Sequence, residues 1–289
     1  DGSVRSRFVI APQKRTSFRD RYQEDKYALM GVIEADIGSF TVASIGYQRQ
    51  NNEPIAGIWG TIPFFTTTGA RANLPISTNF SPSWTRWSRE SGTLFATLDH
   101  QLNDNWSLKA SYNHTEGNTF SLRTYAYGTT TANAPFINPV TGAGVRLYAG
   151  IGSSTEKQDT LDAYLSGKFS LLGRQHDLTL GVSTLRTTTK TDGYTSITAG
   201  ANAYSYTIPN VYTWNGTAPV PVYSRTGAFT EQITKQDGFY ASARWRLSEP
   251  LSVLTGMRVT NWRRQTDNYN TRGAYVNTTA RQQVDREVS

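Results

Sequence analysis

The chain has 289 residues, a formal net charge of +7, an apolar fraction of 37% and an aromatic fraction of 12%. The low apolar fraction argues against a large conventional core, and the 16 Tyr and 7 Trp residues argue against a disordered chain. Cysteine is absent, which excludes disulfides, thiol catalysis and cysteine-based zinc sites. The chain lacks the roughly 18 consecutive apolar residues of a membrane-spanning helix, but the strands of a membrane barrel carry a much weaker signal.

Hydrophobicity alternates with a period of two along most of the chain, which predicts strands with one apolar and one polar side. Between 160 and 171 the apolar side carries Leu161, Ala163, Leu165, Gly167, Phe169 and Leu171. The same alternation occurs around 91–102, 105–115 and 238–247. The predicted strands are 3–16, 23–36, 39–52, 90–102, 106–120, 157–171, 176–191, 231–247 and 251–267, with a tenth beginning at Gln283.

The connections between these strands are short and long in turn. Tight turns are predicted at 36–40, 102–106, 172–176 and 247–251, and long Gly/Thr/Asn/Pro-rich loops at 53–88, 121–156, 193–230 and 268–281. Short turns at one end and long loops at the other are typical of an outer-membrane barrel with periplasmic turns and extracellular loops. Aromatic residues near strand ends, namely Trp106, Tyr164, Trp245 and Trp262, match a membrane interface.

Few residues point to catalysis, so we predict that the chain is not an enzyme. His100 and His176 lie beside tight turns, which favours structural roles. His114 and Glu116 share a face near a long loop, where a hydrolytic site is an alternative, although no second catalytic pair accompanies them. There is no phosphate-binding loop or dinucleotide fingerprint, and no metal site or cofactor is predicted.

Charged residues on the strands have simpler interpretations. Glu34 and Asp36 share a face and fit as lumen-facing charges. The arginines of 4–7 and 261–265, if they lie at upper strand ends, favour contact with lipopolysaccharide phosphates or solvent over nucleic acid.

The long loops are rich in aromatic residues and arginine. The stretch 59–87 alone holds three Trp and three Phe residues, although Gly, Pro, Ser and Thr mark it as a loop. Rings that stack and guanidinium groups that pair with oxygen anions suit a flat, polar, often anionic small molecule. Packing of the loops against one another is the alternative for each ring.

Several stretches resemble the barrel of TonB-dependent siderophore receptors of the ferric coprogen and ferripyoverdine type. They are "FRDRYQEDKYALMGVIEADI", "WGTIPFF", "NFSPSWTRWSRESGTLFATLDHQLNDNWSLKASYNHTEGN", "LYAG" and "KQDTLDAYLSGKFSLLGRQHDLTLGVS". The resemblance covers most of residues 1–190. It implies an all-β fold in which residues 1–289 form nine to ten antiparallel transmembrane strands of a 22-stranded barrel, without the plug domain and the C-terminal part of the barrel.

The resemblance also implies a function. Such receptors reside in the bacterial outer membrane, among outer-membrane lipid and lipopolysaccharide, and import ferric siderophores with energy delivered by TonB through the plug. The ligand is transported cargo, and nucleic acid is not an expected partner. The ligand-binding role transfers to Trp59, Phe64, Trp84 and Trp87, and further to Tyr125, Tyr127 and Tyr148. A self-contained ten-stranded barrel acting as a protease or pore, and a soluble β-sandwich binding module, are the alternatives.

Overall fold

The computed structural model describes residues 3–129, 136–197 and 204–288. The strands are β1 Val4–Thr16, β2 Gln23–Ile37, β3 Thr41–Ile55, β4 Arg86–Asn103, β5 Trp106–Gly128, β6 Val145–Leu171, β7 Arg174–Ser196, β8 Ser205–Ile208, β9 Tyr223–Arg246, β10 Ser252–Tyr269 and β11 Tyr275–Val288. The one helical element in these ranges is a 3-10 turn at Val211–Thr213. Within the same ranges, no helix is long and apolar enough to cross a membrane.

All strands belong to one antiparallel sheet in the order β1-β2-β3-β4-β5-β6-β7-β9-β10-β11. The short strand β8 lies off this path and pairs with the N-terminal end of β6, where Val145 opposes Ile208. The described part of the sheet is open, with β1 and β11 at its two edges. The prediction of an all-β antiparallel sheet is therefore confirmed, with ten long strands and one short strand.

Short turns lie at one end of the sheet, as predicted. They occupy 38–40, 104–105, 172–173 and 247–251. The long connection 56–85 and the described residues of the connection 197–222 lie at the opposite end, which we call the loop end.

Two predicted long loops are wrong. The loop predicted at 121–156 is mostly strand, because β5 continues to Gly128 and β6 begins at Val145, while 130–135 lie outside the described residues. The loop predicted at 268–281 is a five-residue turn at 270–274. The Asn270 side chain accepts hydrogen bonds from the backbone N–H groups of Arg272 and Ala274 there, so the last strand begins at Tyr275, before Gln283.

Strands β5 and β6 are unusually long. They have 23 and 27 residues, whereas an oblique membrane-spanning strand needs only about 9–11. Because they pair from Trp106–Gly167 up to Gly128–Val145, the ladder extends far toward the loop end. The upper ladder therefore carries side chains that sequence analysis assigned to a loop.

The register gives each face of the sheet a distinct character. One face, which we call the apolar face, presents a band of side chains that remain exposed. Its exposed members include Phe8, Ile10, Ile33, Ile45, Tyr47, Leu94, Leu98, Tyr112, Leu161, Val182, Phe239, Val253 and Met257. The opposite face, the polar face, carries mainly Ser, Thr, Asn, Gln and charged residues. An exposed apolar band with a polar face behind it is the pattern of a strand wall between lipid and an aqueous lumen.

Not every aromatic residue predicted at the interface lies on the apolar face. Trp106 opposes Gly167 on that face, and Trp245 opposes Val253, both near the short-turn end. Tyr164 and Trp262 fall on the polar face, because Tyr164 opposes Lys109 and Trp262 opposes Gln236. Their assignment to the membrane interface is wrong, since one residue of offset reverses the face.

Ion pairs hold the polar face near the short turns. Arg5 lies 2.9 Å from Glu34 and 2.7 Å from Asp36. The two carboxylates thus share the predicted polar face. The arginines at 4–7 lie at the short-turn end, not at the upper strand ends suggested by the sequence.

A close aromatic–glycine contact fixes the register between β7 and β9. Gly181 is paired with Tyr240, whose ring lies over the glycine so closely that a Cβ would overlap it. The Tyr240 hydroxyl then donates to Asp162 on β6 at 3.1 Å. A ring over a strand glycine covers backbone that the glycine leaves bare.

We expect Gly181→Ala to lower the free energy of unfolding by about 1–3 kcal/mol, because the added methyl group forces the Tyr240 ring off its site. Urea unfolding in detergent micelles measures the change. Gly117→Ala is the matched control, because its Cβ would be 3.6 Å from the Glu90 carbonyl, an ordinary contact. Equal stability of the two variants would contradict the packing role of Gly181.

Candidate ligand-binding site

Alternation on β4 and β5 places two pairs of large side chains on the polar face at the loop end. Trp87 and Arg89 are two residues apart on β4, and Arg123 and Tyr125 are two residues apart on β5. Trp87 opposes Ser121, the residue two before Arg123, so the pairs are diagonal neighbours across the strands. The connection 56–85 adds Trp59 beside them.

These residues form a ladder of alternating rings and cations, which we call the tryptophan–arginine ladder. The Arg123 guanidinium lies 4.4 Å from the centroid of the Trp59 ring and 4.3 Å from that of Trp87. Arg89 lies 3.9 Å from the same Trp87 ring. Each cation–π contact contributes about 0.5–2 kcal/mol, more where water is excluded.

The ladder carries two positive charges on neighbouring strands. Among the described residues neither Arg89 nor Arg123 forms an ion pair with a carboxylate, and the buried Nε of Arg123 has no hydrogen-bond partner. Burial, and then the neighbouring charge of Arg89, lower the pKa of Arg123 below its ordinary value. Both effects disfavour the cation, so an anion placed here would relieve them.

A group of tyrosines lies next to the ladder, on its side toward the loop end. Trp59 makes an edge contact with Tyr125 at 5.2 Å between ring centroids. Tyr125 is 5.0 Å from Tyr148 on β6 and 6.0 Å from Tyr127. Arg146 lies over Tyr127 at 4.6 Å, and its Nε donates to the Gly128 carbonyl at 3.1 Å. All these rings are half-buried, so they offer part of their surface to a ligand.

Five of the seven predicted ligand-binding residues therefore lie together, while Trp84 and Phe64 lie elsewhere. Trp84 packs against the buried core of the loops, contacts Tyr204 at 6.1 Å, and donates its indole N–H to the Ala218 carbonyl at 2.9 Å. Phe64 is exposed and contacts Phe65 at 5.0 Å, with Arg71 over its ring at 5.3 Å.

Sequence analysis overlooked Arg89. The long loops were described only as rich in arginine, and Arg89 lies just beyond the loop predicted at 53–88. The available signal was the spacing of two between Trp87 and Arg89, which places both on one face of β4.

A loop core supports the site. Its buried members are Ala72, Phe80, Ala126, Ile137, Val145, Leu147, Ala149, Tyr204, Ile208 and Val211. Burial raises the pKa of Tyr204 to about 12, and its hydroxyl donates to the Pro219 carbonyl at 2.8 Å. The long connections are therefore packed against the tops of β5, β6 and β8, as expected for large Ω-type loops.

One buried amide ties three connections together. Asn79, only 1% exposed, donates to the carbonyls of Asp20 and Ala56 at 2.8 and 2.7 Å and accepts from the Ser81 N–H at 2.9 Å. Its own carbonyl accepts a hydrogen bond from Arg21, whose side chain lies against Gly216 of the connection 197–222. Asn79 thus fixes the stretch that carries Trp59 relative to the strands.

The histidines do not form a catalytic site with this cluster. His176 is buried, accepts from the Arg246 N–H at 3.0 Å and lies 3.1 Å from the Leu171 carbonyl. His100 contacts the Thr41 hydroxyl at 2.8 Å near a tight turn. Both positions are structural, as predicted.

His114 and Glu116 do share a face, but it is the continuation of the apolar face. His114 is 2.7 Å from Asp159 and 3.6 Å from Glu116, and Glu116 pairs with Lys157 at 2.8 Å. These opposite charges form a closed network with the Tyr112 hydroxyl, on the side of the sheet opposite the ladder. Among the described residues, no cluster of His, Asp and Glu is suited to hold a metal ion.

The sequence is similar to those of known β-barrel receptors. A family model described as "TonB dependent receptor-like, beta-barrel" matches residues 34–287. The ferric-pyoverdine BN7/BN8 receptor of Pseudomonas putida is 29% identical over 272 residues, covering 92% of this chain and 32% of that protein. The ferripyoverdine receptor of Pseudomonas aeruginosa is 27% identical over 263 residues, covering 91% and 31%. The chain spans about a third of the length of these relatives.

Solved structures agree. The pyoverdine outer-membrane receptor FpvA of Pseudomonas aeruginosa PAO1, bound to pyoverdine, superposes with a TM-score of 0.82 at 25% identity, covering 99% of this chain and 39% of that one. A complex of FpvAI with pyocin S2 gives 0.79 at 26% identity, covering 99% and 35%. The E. coli ferric-catecholate receptor Fiu, at 15% identity and a TM-score of 0.80, covers 100% and 47% and shares the fold.

We expect Asn79→Leu to loosen the connection 56–85, because it leaves two carbonyls and the Ser81 N–H without their partner, at about 1–3 kcal/mol for each group left unpaired. Hydrogen exchange of the amides in 56–85 measures the effect. Ile76→Ala in the same connection is the control, since Ile76 is 87% exposed. Unchanged exchange in Asn79→Leu would contradict the tying role of Asn79.

Proposed function

This chain belongs to the TonB-dependent receptor-like β-barrel family, and we propose that it supplies part of the wall and ligand-binding surface of a ferric siderophore receptor in the bacterial outer membrane. The family is one of receptors and transporters, and the named relatives are receptors for ferric pyoverdines. The polar face is then the lumen side of the barrel, and the loop end faces the cell exterior.

The tryptophan–arginine ladder is the observation that carries the ligand assignment. Arg123 lies between two indole rings and Arg89 lies over one of them, so they provide flat surfaces for aromatic or chelate groups and cations for anionic oxygens. They lie on the polar face at the loop end, where a ligand arriving from outside would enter. The same surface continues along β5 and β6 through Tyr125, Tyr127, Tyr148 and Arg146.

We assign the ligand-binding role to Trp59, Trp87, Arg89, Arg123, Tyr125, Tyr127 and Tyr148. Trp84 supports this surface through the loop core, and Phe64 forms a separate exposed contact point at the loop end. Transport across the membrane is energised by TonB in this proposal and uses parts of the receptor beyond the strands described here. Outer-membrane lipid surrounds the apolar face.

In the full-length protein, we expect Trp87→Ala to weaken ferripyoverdine binding by about 1–3 kcal/mol, because the ring is shared by two cations at the centre of the cluster. Arg123→Gln should weaken binding and reduce its salt dependence, since it removes a half-buried charge that faces the ligand. Equilibrium titration of the iron-loaded ligand against the purified receptor measures both.

The matched control is Trp262→Ala, which removes an indole from the same face away from the cluster. Its affinity should equal that of the parent protein. The ligand assignment is wrong if Trp87→Ala and Arg123→Gln also bind with parental affinity.

Energisation is tested separately by the uptake of radioactive iron in cells with and without TonB. We expect surface binding to persist and uptake to stop when TonB is absent. Uptake that continues without TonB would contradict the transport part of the proposal and leave the binding site intact.

A further inference from the structure

Asn215 and Gly216 form the only Asn–Gly pair in the sequence. They lie in the connection 197–222, where Asn215 is exposed and Gly216 is buried. Gly216 has a φ of +85°, a left-handed conformation that glycine adopts without strain. An exposed asparagine followed by glycine is open to attack on its side-chain amide by the next backbone nitrogen, because the following residue has no Cβ to obstruct the approach.

The local hydrogen bonds favour that attack. The Asn215 Oδ1 accepts a hydrogen bond from the Thr217 N–H at 3.0 Å, which turns the amide group toward the peptide unit of Gly216. The same bond draws electron density from the amide carbonyl, so the Cγ atom of Asn215 becomes more electrophilic. Among the described residues, the Gly216 N–H donates no hydrogen bond, so this nitrogen is not held by another acceptor.

Arg21 lies against the same glycine. A Cβ atom at position 216 would be 2.8 Å from the Arg21 Cζ, so the guanidinium group covers this peptide unit. The buried Nε of Arg21 has no hydrogen-bond partner among the described residues. Burial lowers the pKa of Arg21, and the charge of Asp20 only partly offsets that effect. A negative charge formed beside Gly216 would therefore be stabilised by a poorly solvated cation.

We propose that Asn215 is a site of spontaneous deamidation and that Arg21 promotes the reaction. The Gly216 nitrogen loses its proton to water and forms a bond to the Cγ atom of Asn215, and the side-chain nitrogen takes up a proton and leaves as ammonia. Water then opens the resulting five-membered succinimide, which gives aspartate or isoaspartate at position 215. The Arg21 cation stabilises the negative charge that develops on the attacking nitrogen and on the amide oxygen.

The reaction changes the contacts between the connections at the loop end. The new carboxylate at position 215 pairs with the Arg21 guanidinium, where the turn 17–22 between β1 and β2 meets the connection 197–222. Arg21 also donates a hydrogen bond to the Asn79 carbonyl, so the ion pair joins both segments to the connection 56–85. Deamidation therefore tightens three connections of the loop end as the protein ages.

The test follows the full-length protein during incubation in neutral detergent at physiological pH and temperature. Peptide mapping by mass spectrometry measures the conversion of each asparagine to aspartate or isoaspartate. Asn270 is the matched internal control, because it is exposed and its Oδ1 also accepts from the backbone N–H two residues on, at 2.9 Å, but it precedes Thr271. We expect Asn215 to convert while Asn270 stays intact.

Two pairs of variants test the role of Arg21. We expect Arg21→Gln to slow the conversion of Asn215 about tenfold, the change that follows if the pKa of the attacking nitrogen rises by about one unit. Arg21→Lys keeps the charge, so it should convert at a rate near that of the parent protein even if Arg21→Gln disturbs the loops. Asn215→Asp, which reproduces one product, should slow hydrogen exchange of the amides in 17–22 relative to Asn215→Ser, which lacks the carboxylate.

Three results would overturn the proposal. Equal conversion of Asn215 and Asn270 in the parent protein would remove the deamidation site. Conversion of Asn215 in Arg21→Gln at or above the parental rate would contradict the promoting role of Arg21. Equal hydrogen exchange in Asn215→Asp and Asn215→Ser would contradict the ion pair that ties the connections together.

Discussion

The direct pairing of residues across the antiparallel ladder is the constraint on which the other features depend. Once two strands are in register, every residue of one strand shares a face with its partner, and the period of two assigns all remaining side chains. Packing of Tyr240 over Gly181 helps to hold that register between β7 and β9. The same pairing separates Arg263, on the apolar side, from its chain neighbour Arg264, on the polar side.

Charge balance distinguishes structural clusters from the candidate binding surface. Arg5 with Glu34 and Asp36, and His114 with Asp159 and Glu116, are closed networks in which each charge meets its opposite. The tryptophan–arginine ladder differs, since its cations, Arg89 and Arg123, contact aromatic rings.

Much of the fold could be predicted from the sequence because alternation is a local property. The short turns and most strands follow from it, and so does the shared face of Glu34 and Asp36. The reach of β5 and β6 could not be predicted, because Gly, Ser and Thr near 117–124 and 150–155 suggest loop composition, while pairing of each strand with the other keeps them extended. The faces of Tyr164 and Trp262 could not be predicted for a related reason, since an aromatic residue near a strand end fits either face.

The site was predicted in composition and not in arrangement. Aromatic content made candidates of Trp59, Trp87 and the three tyrosines, but it did the same for Trp84, which packs against the loop core. Only three-dimensional contacts distinguish a ring that packs against the loop core from a ring that lies partly exposed on the polar face. Composition did not single out Arg89, because only its contact with the Trp87 ring makes it a candidate.

The length of the β5–β6 ladder affects how this chain can evolve. Most of the proposed binding groups project from hydrogen-bonded strands, so their spacing is set by backbone geometry and little ordering entropy is lost when a ligand binds. Insertions or deletions in the neighbouring loops would alter access while leaving that spacing unchanged. Adaptation to a new chelate would therefore proceed through exchange of side chains at alternate strand positions, with the loops free to diverge under other pressures.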